Sequence, residues 1–188
     1  MDDLAPVSSQ ALPVRLGPCT HNAELAVLWK AYDAEPFQLL RTHEGRELSR
    51  ARYRRAEGFM LSLALGAPGD WPDFLYFSGI VAQLSLSSHL LDVGFPDAWC
   101  ARHVGLHIDR SLAYANASGF GHDCADTARL AEVLSPYWKW NRRHLIDGAR
   151  PNDGGFTSDE VRALLRALMD HVCHVTGHGR SRRRMTKS

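Results

Sequence analysis

The sequence is poor in the features that announce a chemistry. Its four cysteines, Cys19, Cys100, Cys124 and Cys173, lie far apart and form no CxxC pair. In a chain of 188 residues this usage fits reduced thiols and a cytoplasmic location. The HExxH helix of a metalloprotease is missing, and so is the Glu-x-x-His pair of a di-iron bundle. No segment alternates apolar and polar residues convincingly, which sets sandwiches and barrels aside. There is no internal repeat of the solenoid kind. The opening residues, MDDLAPVSSQ, are acidic and polar, unlike a signal or transit peptide.

Charge is missing from one long stretch. Between Asp73 and Asp92 the chain reads FLYFSGIVAQLSLSSHLL. Its apolar residues recur at helical spacings of three, four and seven, as in Phe77, Val81 and Leu84. Ser78, Ser85, His89 and Asp92 follow a second line at those spacings, so one stripe is polar. Asp70 and Pro72 suit a helix start, and Gly94 suits its end. The run approaches bilayer length, but its serines, glutamine and histidine make it poor lipid solvent. It predicts a central, mostly buried helix over 73–92 and no membrane association.

The rest reads as helices with short links. One is expected from His21 through Trp29 and Tyr32, and a restart at Ala34 beyond Asp33, through Leu40. A third runs from Glu44 to Leu65. Pro96 opens another that reaches about Asn116, and 124–134 is helical in pattern. Thr157 and Glu160 have capping-box spacing ahead of a last helix that ends near Gly177. The sum is an all-α, single-domain bundle of about six to eight helices over 21–179. Residues 1–20 form an N-terminal arm, and 180–188 a basic tail expected to be disordered.

That tail, RSRRRMTKS, holds five of the 22 basic residues and no acid, so a body of net charge −4 ends in a cationic segment. Arg180, Arg182, Arg183, Arg184 and Lys187 suit phosphates or acidic protein surfaces. Arg46, Arg50 and Arg54 share one helix face and form a candidate anion row. The plainer expectation for them is a solvated face paired to Glu44, Glu47 and Glu57.

Two histidine clusters could hold a metal. Cys100, His103 and His107 are spaced C-x2-H-x3-H on one helix; His171, His174 and His178 lie at the end of the last helix, with His178 beyond Gly177. Each cluster is short of ligands by itself, so no shared site is expected unless His103 and His107 face His171 and His174. Ser85, His89 and Asp92 match a hydrolytic triad in composition only, since mid-helix serines lack the strained turn of such nucleophiles. Residues 97–116 also suit a helix-turn-helix with Gly105 in the turn, although Arg110 is the second helix's only cation.

The leading expectation is a non-enzymatic, regulatory helical protein that binds a protein or nucleic-acid partner through its basic segments, with no cofactor. The alternatives are a bundle enzyme or sensor with a histidine-bound metal or haem, and a DNA-binding helix-turn-helix.

Overall fold

The computed structural model describes residues 20–66, 70–146 and 151–179. The expected N-terminal arm, apart from Thr20, and the basic tail therefore lie outside the described residues. Eight α-helices follow in order: α1 (Thr20–Ala31), α2 (His43–Ala64), α3 (Trp71–Val93), α4 (Asp97–Trp99), α5 (Ile108–Ala117), α6 (Ala125–Leu134), α7 (Arg142–Leu145) and α8 (Ser158–Thr176). A π-helical turn, Cys100–Val104, continues α4, and a 3-10 turn, Tyr137–Trp140, precedes α7. The described residues contain no strand, and the fold is all-α and single-domain.

α3 is the axis of the bundle. Asp70 caps it by accepting the Asp73 N–H at 3.0 Å, Pro72 sits in its first turn, and Gly94 closes it in a left-handed conformation. Helices α2, α5, α6 and α8 and the Tyr137 turn all pack on it. Sixteen of its 23 residues are buried, including the whole polar stripe. Ser78 and Ser85 donate to the carbonyls of Phe74 and Val81, each at 2.7 Å, so their hydroxyls are satisfied within the helix. The sequence marked the stripe as the face that differs, and neighbours bury it; Tyr76, Ile80 and Gln83, on another face, stay partly exposed. Leu84→Ala is expected to cost about 3 kcal/mol in urea denaturation, because a buried leucine leaves a cavity that neighbours fill only in part. A loss under about 0.5 kcal/mol would place this face at the surface.

Two expected helices are corrected. Residues 34–42 do not restart a helix. Pro36 lacks a backbone N–H and disfavours the helical region for Glu35. Asp33, at φ 49°, turns the chain out of α1, and Phe37 packs on Trp29, Phe95 and Trp99 with ring centroids 5.3–6.0 Å apart. The helix expected from Pro96 to Asn116 breaks at Gly105, where φ is 57°. Its N–H reaches the Cys100 carbonyl five residues back at 2.8 Å, which closes the π turn before α5 begins.

The end of the chain follows its sequence signals. Glu160 N–H donates to Thr157 Oγ1 at 3.3 Å, and Thr157 N–H donates to Glu160 Oε2 at 2.8 Å, the reciprocal capping box of α8. Gly177, at φ 70°, ends that helix.

Candidate functional site

The histidines that the sequence singled out do not meet. Cys100 is buried beside Asp97, and burial above all pushes its thiol up to about 12, so it is no thiolate at neutral pH. His103 stacks on Trp99 at 5.0 Å, and His107 stands at the N-terminal edge of α5 without a side-chain cap bond. His174 is exposed. His171 Nε2 bonds the Phe120 carbonyl, and its ring lies 5.1 Å from that of His122. Among the described residues, no group of three or more His, Cys, Asp or Glu side chains could hold a metal ion.

The helix-turn-helix outline exists, with its turn at Gly105–His107. Its second helix faces inward, however. Ile108, Ser111, Leu112, Tyr114, Ala115 and Ala117 of α5 are buried, and only the acidic Asp109 is exposed. A groove-reading helix must present a polar or basic face to the bases, which this one does not.

The triad-like residues of α3 part company. Ser85 bonds its own helix, His89 lies 3.4 Å from Ser118 Oγ, and Asp92 pairs with Arg41 and Arg46 at 3.4 Å each. The Asp92 carboxylate is buried, while the two arginines keep much of their surface in water. His89 is buried against Phe120 at 4.8 Å. Burial first, then the fields of Arg41 and His171, lower its pKa to about 3.

A second serine–histidine pair was not legible in the sequence. Ser49 of α2 donates to the Ser88 carbonyl of α3 at 2.6 Å, and its oxygen lies 2.6 Å from His178 Nε2. With the hydroxyl proton committed to the carbonyl, the imidazole must donate from Nε2, which leaves Nδ1 with its lone pair and no partner. Ser49 is wholly buried, so it is no accessible nucleophile. The pair ties the segment after α8 to α2 and α3. Burial is the main reason His178 titrates below the ordinary histidine range; Asp92 opposes the shift, and Arg50, Arg46 and Arg54 add to it.

That last contribution locates the arginine row. Arg46, Arg50 and Arg54 are near enough for their charge to act on His178, and the described residues end at Gly179. In the sequence, Arg180 follows two residues after His178. The pairing expected with Glu44, Glu47 and Glu57 is not made. Arg46 turns to Asp92, and Glu47 lies 3.9 Å from His43. Arg50 and Arg54 are exposed and make no ion pair or hydrogen bond among the described residues. Comparison with protein-family models, curated proteins and solved structures finds no match to this chain.

Proposed function

We propose that the protein is a non-enzymatic, regulatory binding protein that holds the phosphate backbone of a nucleic acid across the arginine face of α2 and the basic tail. One observation carries the reading. Two exposed guanidinium groups, Arg50 and Arg54, make no ion pair among the described residues, and their charge is felt at His178, two residues ahead of the basic tail in the sequence. Side chains four residues apart on a helix rise about 6 Å along one face, so the row presents charge at several points rather than one. Guanidinium groups suit phosphate because their planar fork donates two parallel hydrogen bonds. Such binding follows charge and not sequence, in keeping with an α5 that is turned inward.

Removal of residues 180–188 tests the reading on a fluorescent oligonucleotide. The expected result is at least tenfold weaker binding at low salt, with an unchanged melting temperature, because each lost phosphate contact also removes its counterion release. Equal affinity for the full and shortened chains would take the tail out of the function.

A further inference from the structure

We propose that the groove between α2, α3 and the π turn is a binding site for a small amphipathic monoanion, an apolar carboxylic acid whose carboxylate sits at Arg55. The groove encloses about 480 Å³, within the range of roughly 300–1,000 Å³ usual for small-molecule sites. Its apolar lining comes from Phe59, Ile80, Leu84 and Leu106. Three polar ends join that lining without partners of their own. Arg55 makes no ion pair among the described residues and lies over the Phe59 ring at 5.9 Å from its centroid. Tyr76 and Tyr137 pack with ring centroids 5.6 Å apart, and neither hydroxyl has a hydrogen-bond partner among the described residues.

The local structure builds these groups into place. Gly79 of α3 has no side chain, and a Cβ there would fall on Tyr137, so the glycine lets the tyrosine lie against the helix. Gln83 Nε2 donates to the Gly105 carbonyl at 2.8 Å and fixes the π turn as the opposite wall. Burial and the neighbouring Tyr76 push the Tyr137 phenol up, while Arg55 pulls the other way. Tyr137 therefore stays protonated at neutral pH and can donate to a carboxylate.

Charge selects the ligand. Arg52 is already engaged by Asp97, at 3.1 and 3.4 Å to its two oxygens, and that pair is closed. Arg55 alone is left, which matches one negative charge. The apolar lining favours an acid that carries a chain or ring over a bare inorganic anion, which would leave Phe59, Ile80, Leu84 and Leu106 uncovered. The site is separate from the phosphate face, since 3.6 residues per turn carries Arg52 and Arg55 around α2 from Arg50 and Arg54.

Titration of the full chain with octanoate, 3-phenylpropionate and octanol, followed by calorimetry and amide chemical shifts, tests the proposal. At least one acid is expected to bind saturably and at least tenfold tighter than the alcohol; the tighter acid tells whether a chain or a ring fills the groove. Arg55→Met is expected to weaken that acid tenfold or more, and Leu106→Trp to block it. Both positions are exposed, so both variants should melt as the parent does. Arg50→Gln/Arg54→Gln should bind the acid unchanged, which separates this site from the phosphate face. Saturation by neither acid, equal binding of the alcohol, or undiminished binding to Arg55→Met would overturn it.

Discussion

Gly94→Ala is expected to cost about 4 kcal/mol. Gly94 ends α3 at φ 112°, a backbone conformation that side chains disfavour, and such strain costs of order 1–3 kcal/mol. A Cβ there would also lie 2.6 Å from the backbone N, C and O of Leu40. Main-chain atoms cannot rotate aside as a flexible side chain can, so overpacking of about 1–3 kcal/mol adds to the strain. The segment that must yield carries Phe37, which closes the aromatic cluster with Trp29, Phe95 and Trp99. A fall in melting temperature of roughly 8–16 °C is expected for a domain of this size. A variant that melts within about 2 °C of the parent would show that the Gly94–Leu40 approach is not as described.

Acid is expected to remove a comparable amount through His89. Its imidazole is buried, near Arg41 and His171, with the Ala115 carbonyl and Ser118 hydroxyl as its polar neighbours. The folded state binds the proton more weakly than the unfolded chain, at about 3 against 6.5. Stability is therefore full above about pH 6.5 and is lost as the pH falls toward 3. At about 1.4 kcal/mol for each pH unit, His89 accounts for about 2 kcal/mol by pH 5 and about 4 kcal/mol by pH 3. His122 and His178, both held below their ordinary range mainly by burial, push in the same direction. Urea denaturation between pH 7 and pH 5 isolates the histidines before most carboxylates titrate. His89→Gln should flatten this slope. A parent protein equally stable at pH 7 and pH 5 would contradict a neutral, buried imidazole.

The parts of the fold legible in the sequence are those fixed by local chemistry. Asp70, Pro72 and Gly94 mark both ends of α3, and Thr157 with Glu160 marks the start of α8, because caps act within a few residues. Residues 34–42 misled because Phe37, Leu39 and Leu40 have helical spacing. Their conformation answers to Pro36 and to rings some sixty residues further along the chain. The break at Gly105 was legible as a turn residue, but not as a π turn, whose wall is held by Gln83 of another helix. The site was the least legible. Gly177 signalled a helix end ahead of His178, but not that the left-handed turn there folds the chain back onto Ser49, 129 residues away. Arg46 faces several glutamates in sequence and chooses a buried aspartate from α3 instead. Arg50 and Arg54 were visible as a row, while their lack of counter-charges depended on where every acid came to rest.

The salt dependence of oligonucleotide binding by the parent and by Arg50→Gln/Arg54→Gln decides whether the arginine row of α2 holds phosphate. Both side chains are exposed, so the double variant should keep the parent's melting temperature. For a single strand, each phosphate contact contributes about 0.7 to the slope of log K against log salt. The variant is expected to bind more weakly, with a slope shallower by about 1.4 for the two lost contacts. Identical affinity and slope for the two proteins would contradict a phosphate-holding row.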